Sequence, residues 1–332
     1  MRAKKHVVVV MGGMSVEYDI SMLSGQNVLD HIDTDTYKVS SIEITTGGEW
    51  VFSDTPDQIR SIGDGIANLQ SIYPDCMFIA LHGPYGEDGK IQGLFDLLGI
   101  PYTGSGCASS SLSMDKVRSK AVAEHGGIKV PPQELFNYDD WKHDRQNLYQ
   151  RIEEKIGFPC VVKNPWQGSS LGMAIPQSAD ELDEAIKEVI GFGYQAMVEK
   201  YIDGTEVTCG VAHLDENKPP EVLFVTEIRP VKAKFFDYEA KYTPDATDEI
   251  TPADLSDEVT AEIRDIAVNA HTLMGCRGFS RSDMIISDDG IIWLEINTIP
   301  GMTQTSLIPR GAEAMGHSFA DLVSQLIESV LI

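Results

Sequence analysis

Four polar residues late in the chain have the types and spacing of a chemical site. Arg281 and Asp283 lie two apart in the run 278–286. Glu295 and Asn297 lie two apart in the run 291–301, and Asp288-Asp289-Gly290 separates the two runs. Apolar, β-branched runs around an Asp-Gly turn predict a hairpin. Alternation along a strand puts residues two apart on one face, and a short turn sets the two pairs opposite each other. That face would carry one cation and three hard oxygen donors. Such donors suit Mg²⁺, which takes one or two carboxylates while substrate phosphates complete its octahedron. Arg281 beside them could meet a phosphate or a developing oxyanion. The plainer alternative is a solvated Arg–Asp–Glu cluster. Against it, Trp293, Leu294, Ile296 and Ile299 make the strand too apolar for a casual edge.

Other candidates stand at the ends of predicted elements. Phe158-Pro159-Cys160-Val161-Val162-Lys163 reads as a strand closed by a lysine, and Asn164-Pro165-Trp166-Gln167-Gly168-Ser169-Ser170-Leu171-Gly172 follows as a loop. Backbone N–H groups of small residues can cradle phosphate. The Walker order is absent, and a Gly-Ser-Ser loop can equally be a linker. Ser113-Met114-Asp115-Lys116 reads as a helix start with Ser113 as the N-cap candidate. Lys116 then falls in the first turn, against the dipole preference, which suggests a ligand-facing reason. Glu17 and His82 follow the predicted strands 6–11 and 77–81 in glycine-containing turns, where open α/β sheets bind ligands. A dipole-favoured helix start competes for Glu17, and a structural hydrogen bond for His82.

The elements that must position these groups follow from pattern. The continuous apolar run 6–11 is expected of a buried parallel strand, and with the turn and helix that follow it opens a doubly wound unit. Residues 101–106 read as a domain junction, and 133–157 as polar and helical. Strands are expected at 195–202 and 206–211 around Asp203-Gly204, so Glu199 and Glu206 would flank a hairpin; exposed carboxylates there are ordinarily just solvated. Residues 235–245 are aromatic and charged without a clear period, as in a connection that packs back on the surface or closes over a ligand. Amphipathic helices are expected at 257–274 and 319–330.

With 332 residues the chain can hold two or three domains with their own cores. A net charge of −25 disfavours duplex nucleic acid and anionic membranes as partners. No apolar run approaches a membrane span, and the basic amino terminus reads as the lead into a strand, not a secretion signal. Five widely spaced cysteines without a Cys-x-x-Cys pair point to a reduced, cytoplasmic compartment and away from structural zinc.

The Arg-x-Asp strand followed by Glu-x-Asn and Pro-Gly resembles the metal site of ATP-grasp ligases. More narrowly, Glu295-Ile296-Asn297-Thr298-Ile299-Pro300-Gly301-Met302-Thr303 resembles that of the D-alanine–D-alanine ligase family. Ala80-Leu81-His82-Gly83 with Gly86-Glu87-Asp88-Gly89, the Ser113–Lys116 helix start and the 235–245 stretch are similar to the same family. The likeness runs over nearly the whole chain. It implies an α/β ATP-grasp fold with an N-terminal doubly wound parallel-sheet domain. Residues 1–104 would bind the first D-alanine, 105–200 would form the central subdomain with the phosphate loop, and 201–332 would carry lid, metal site and acceptor site. The implied activity joins two D-alanines with ATP, through an acyl phosphate, for peptidoglycan precursors.

The resemblance also implies roles residue by residue. Asp283, Glu295 and Asn297 would hold two Mg²⁺ ions, with Mn²⁺ as a substitute. Lys116, Lys163 and Lys241 would meet phosphates. Glu199, Glu206 and the backbone of Lys200, Tyr201 and Ile202 would meet adenine and ribose. Glu17 would hold the first ammonium, joined by Ser169 and Tyr242, with His82 near the same substrate. Arg281 and the Gly301 N–H would face the tetrahedral oxyanion, and Ser306 and Leu307 the acceptor carboxylate. Tyr242 would favour an amine acceptor, and a homodimer is common in the family. One departure stands out. Members commonly read Lys-Pro-Ser-x-Glu-Gly-Ser-Ser, whereas here the proline is displaced by one and Trp166 and Gln167 follow. Two alternatives are a ligase for another acceptor, such as D-serine or D-lactate, and a nucleotide-binding regulator without activity. The intact polar set argues against the second.

Overall fold

The computed structural model describes residues 4–168, 172–191, 193–215, 217–230, 247–314 and 316–331. The expectations for Ser169, Lys241, Tyr242 and the 235–245 stretch lie outside the described residues.

The valine run Val7–Val10 forms the centre of the first sheet, in β1 (Lys5–Gly12). Val7, Val9 and Met11 enter one core and Val8 and Val10 another. A strand apolar at every position needs cover on both faces. Strand β2 (Tyr37–Ile44) pairs parallel to β1; β3 (Trp50–Phe52) and β4 (Ile59–Arg60) extend the sheet antiparallel; β5 (Cys76–Ile79) closes the other side, parallel to β1. Helix α1 (Tyr18–His31) supplies Val28 to one core; α2 (Ile62–Ile72) and α3 (Lys90–Leu98) supply Leu69 and Phe95 to the other.

Helices α4 (Cys107–Met114) and α5 (Lys116–His125) lead to a second, antiparallel sheet. Its strands are β6 (Gln133–Asn137), β7 (Cys160–Lys163), β8 (Met173–Ala174) and β9 (Gln195–Lys200), in the order β6-β9-β7-β8. Helices α6 (Tyr138–His143), α7 (Arg145–Lys155) and α8 (Ala179–Ile190) share its core. The third sheet, also antiparallel, comprises β10 (Thr205–His213), β11 (Glu221–Pro230), β12 (Thr247–Ile250), β13 (Gly278–Ser287) and β14 (Gly290–Asn297), in the order β12-β11-β10-β13-β14. Helix α9 (Asp257–Leu273) packs on it together with Ala123 of α5. Helices α10 (Leu307–Ala314) and α11 (Phe319–Glu328) join Phe224 and Phe279 of the third sheet to Val7 and Val9 of the first in one core. Leu326 and Ile327 are fully buried there, each contributing about 1.5–3 kcal/mol of transfer free energy.

Three local expectations are corrected. Residues 133–157 open with β6, which pairs along β9; strand pairing overrides the local helical reading. Strands β9 and β10 form no hairpin. Each already has two neighbours in a different sheet, so Asp203-Gly204 is a link between sheets. Ser113 lies in the last turn of α4, and Asp115 caps α5 instead, its carboxylate accepting the Arg118 N–H at 3.0 Å. The β13–β14 hairpin forms as expected, with one irregularity between Asp283 and Met284.

Candidate active site

Strand pairing sets Arg281 opposite Asn297 and Asp283 opposite Glu295. Arg281 gives Nε–H and Nη2–H to the two oxygens of Asp283, both at 2.9 Å. Thr208, from neighbouring β10, donates to Asp283 Oδ1 at 2.7 Å, and Asn297 Nδ2 donates to Oδ2 at 3.1 Å. Lys116, the first residue of α5, places Nζ 3.0 Å from Glu295 Oε2. Burial works against the Arg281 charge, but Asp283, then Glu295 and Glu87, outweigh it and hold the guanidinium above its ordinary value.

A second cluster adjoins the first. Glu199, at the end of β9, is only 3% exposed, not a solvated carboxylate. It lies 2.5 Å from Lys163 Nζ and also pairs with Lys120, which is fully buried. Burial pushes Lys120 down to about 8 against the pull of Glu199. Burial also works to lower Lys163, yet Glu199 and Glu295 outweigh it and raise that lysine. Glu295 therefore acts on lysines of both α5 and β7, and the second and third sheets share one electrostatic site. Lys200 closes β9 and spends its N–H on Pro132 O at 2.9 Å; Tyr201 and Ile202 form the half-buried link onward. Glu206 stands two residues before Thr208 on β10, so alternation puts it on the face of Asp283.

The loop after β7 docks on the start of α5. The Trp166 indole N–H donates to Asp115 Oδ2 at 2.9 Å. The Lys116 N–H donates to Pro165 O at 3.1 Å, and its Nζ to Gln167 O at 2.9 Å. One residue on, a Cβ at Gly168 would lie 3.0 Å from Glu17 Oε2. Gly83, after β5, has φ +69°, and a Cβ there would come within 2.3 Å of the same oxygen. Glu17 thus sits between two glycines from different sheets. Glu17 also holds the N-cap position of α1, where the dipole favours a carboxylate, although its side chain makes no capping hydrogen bond. His82 has Nε2 2.8 Å from Ser24 Oγ and Nδ1 3.0 Å from Ile299 O, as a structural histidine would. Glu87 is pushed up to about 8, by burial first and by Glu17 second. Ser306 accepts the Thr303 N–H at 3.0 Å, and its Oγ would lie 2.8 Å from a Cβ at Gly301; Leu307 opens α10 directly behind it.

The arrangement gathers three carboxylates, an amide, an arginine and three lysines on adjoining elements, a set of groups that suits a polyphosphate and its counter-ion. Comparison with known proteins decides between the enzymes that could use it. Residues 6–71 and 60–105 match the family model "D-ala D-ala ligase N-terminus", and residues 122–328 match "D-ala D-ala ligase C-terminus". The chain belongs to the D-alanine–D-alanine ligase family. A curated D-alanine–D-alanine ligase from Desulforudis audaxviator is 39% identical over 97% of this chain and 97% of its own length. Among solved structures, the VanG D-Ala:D-Ser ligase from Enterococcus faecalis is 32% identical with a TM-score of 0.84, covering 99% of this chain and 100% of that one. The D-alanine–D-alanine ligase from Bacillus anthracis complexed with ATP is 29% identical with a TM-score of 0.78, covering 98% and 97%.

For a ligase of this family, the donor set on the β13–β14 face fits a hard divalent ion. Two carboxylates and one amide oxygen, once the Asn297 amide is turned, leave coordination positions for phosphate oxygens. Among the described residues no cluster of three or more His, Cys, Asp or Glu could hold a metal by itself. Sequence reasoning missed Lys120, Thr208, Trp166 and Glu87. Lys120 carried a signal, because it follows Lys116 by four on one helix face. Thr208 carried none, because only the β10–β13 register brings it to Asp283.

Proposed function

We propose that this ligase joins two D-alanines to D-alanyl-D-alanine, converting ATP to ADP and phosphate. The single observation that carries the reading is the β13–β14 register, which sets Asp283 opposite Glu295 and Arg281 opposite Asn297, with Lys116 Nζ 3.0 Å from Glu295 Oε2. In the first step a D-alanine carboxylate oxygen attacks the γ-phosphorus and the bond to ADP breaks, leaving an acyl phosphate. Lys116, Lys163 and Lys241 offset the phosphate charge. Asp283, Glu295 and Asn297 would hold two Mg²⁺ ions, or Mn²⁺, which when bound supply further charge neutralisation between the phosphates. In the second step a neutral amine attacks the carbonyl carbon. The carbon–oxygen bond to phosphate breaks, phosphate leaves with the electron pair, and the amine proton ends on the released phosphate. Arg281 and the Gly301 N–H face the oxyanion.

Glu17, with Ser169 and Tyr242, orients the first ammonium; Ser306 and Leu307 anchor the second carboxylate. Glu199, Lys200, Tyr201, Ile202 and Glu206 line the nucleotide base and ribose. Residues 1–104, 105–200 and 201–332 are the three functional segments. The likeness to a D-Ala:D-Ser ligase supports a second reading, D-serine as acceptor. We place the protein in the cytoplasm as a homodimer feeding peptidoglycan synthesis. Unpaired cysteines support that setting. Among the described residues no helix is long and apolar enough to cross a membrane. Phosphate release with product analysis tests the reaction and its acceptor. D-alanine alone should yield dipeptide, and product only with D-serine or D-lactate added would replace the primary reading.

A further inference from the structure

The segment leaving β14 reads Thr298-Ile299-Pro300-Gly301-Met302-Thr303. The two residues flanking Pro300-Gly301 are held through their own backbones by side chains from around the first sheet. Ile299 N–H donates to Glu87 Oε1 at 3.2 Å, and Ile299 C=O lies 3.0 Å from His82 Nδ1. Met302 N–H donates to Ser24 Oγ at 3.2 Å, and Met302 C=O accepts from Asn27 Nδ2 at 2.7 Å. Ser24 Oγ also lies 2.8 Å from His82 Nε2. These contacts close a directional chain. Met302 N–H donates to Ser24, the Ser24 hydroxyl donates to Nε2, and Nδ1–H donates to the Ile299 carbonyl. That order assigns a neutral imidazole with its proton on Nδ1. Burial, which holds His82 below its ordinary value, favours the neutral ring.

All four holding side chains are buried. The side chains of Ile299 and Met302 enter the cores on opposite faces of the first sheet. Between these anchors lie a proline, which has no N–H, and a glycine. Among the described residues, the N–H groups of Ile299, Met302 and Thr303 are all hydrogen-bonded, and that of Gly301 is not. A bare donor between two pinned neighbours is preorganised for charge that develops during reaction.

We propose that Ser24, Asn27, His82 and Glu87 are positioning residues for the second half-reaction. They hold the 299–302 strap, and with it the Gly301 N–H, against the tetrahedral oxyanion, and His82 acts through the strap rather than on the first D-alanine. The inference rests on the ligase reading above. Charge appears on the carbonyl oxygen only when the amine attacks, whereas acyl-phosphate formation loads charge on the phosphoryl group, which the lysine face manages. A loosened strap should therefore slow the second step and spare the first.

The test measures both steps in one sample. Movement of an ¹⁸O label from the β,γ-bridge of ATP to the β-nonbridging position reports D-alanine-dependent acyl-phosphate formation, and dipeptide reports the whole reaction. Ser24→Ala removes the shared hydroxyl, and Asn27→Asp replaces a donor by an acceptor of the same size. Each should lower the ratio of dipeptide to exchange about tenfold, a partial form of the loss seen when reacting groups are misplaced, with the KM for ATP unchanged. Equal loss of both steps, no loss, or a rise in D-alanine KM at an unchanged ratio would overturn the proposal. Ring ¹⁵N shifts of His82 in the unmodified protein provide a check that needs no variant. An Nδ1–H tautomer is expected, and an Nε2–H tautomer overturns the relay. Absence of both D-alanine-dependent exchange and dipeptide in the unmodified protein would instead defeat the ligase reading itself.

Discussion

On the β13–β14 face and in the cluster that adjoins it from β7, β9 and α5, charged side chains are matched by other side chains. Asp283 answers Arg281, Glu295 answers Lys116, and Glu199 answers both Lys120 and Lys163. A few residues further along, the 299–302 strap is held by bonds from side chain to backbone. The two regions face different demands. Groups that bind a polyphosphate and a cation must give up their present partners when those ligands arrive, so internal ion pairs keep buried charges compensated until then. A backbone donor that serves a brief intermediate must not move at all, and bonds to two flanking residues fix it from both sides.

The comparison can be broken most severely at Glu295, which pairs with Lys116 and belongs to the proposed cation site. Glu295→Gln should lower turnover at least about a hundredfold, in line with losing one essential electrostatic group, and shift the Mg²⁺ requirement upward. Steady-state rates across an Mg²⁺ titration provide the measurement, and an unshifted requirement removes Glu295 from the ligand set. Lys120→Met comes next. Glu199 would keep only Lys163, and loss of one partner from a buried pair should destabilise the fold by about 3 kcal/mol. Urea unfolding with an unchanged slope would report it, and an unchanged midpoint would show that Lys163 alone suffices.

Two smaller effects sharpen the contrast. Glu87 is raised from 4.5 to about 8, so the folded protein keeps a proton there that the unfolded chain has lost at pH 6 to 7. The stability this group contributes is full below 4.5 and disappears as pH rises towards and through about 8. Subtracting Glu87→Gln from the unmodified protein should expose that falling slope between pH 5 and 8. A difference independent of pH would mean the carboxyl is ionised throughout. The smallest change is expected at the loop that departs from the family pattern. Trp166→Phe removes the bond to Asp115, worth about 1 kcal/mol or slightly more because the acceptor is charged, and should raise the KM for ATP a few-fold with little effect on kcat.

Much of the scaffold was legible in the chain. The valine run of β1, the Asp-Gly hairpin of β13 and β14, and the helices at 257–273 and 319–328 all carry periodicities that burial enforces locally. Ser113 was a plausible cap two residues early, because Asp115 caps equally well and only the break between α4 and α5 selects it. The β9–β10 link could not be told from a hairpin, since a short Asp-Gly connection looks the same whether its strands pair with each other or with different sheets.

Sequence alone determined which residue types were available and the two-residue spacings that gather Arg281, Asp283, Glu295 and Asn297, because alternation in a strand is a local property. It also set the family, through motifs kept in order. Tertiary structure alone decided that Glu199 is buried between two lysines, that Thr208 orients Asp283, and that Ser24, Asn27, His82 and Glu87 converge on one strap. Those contacts join residues up to 278 positions apart. No local period encodes such a separation; it is fixed only when α10 and α11 carry the end of the chain back onto the core of the first sheet.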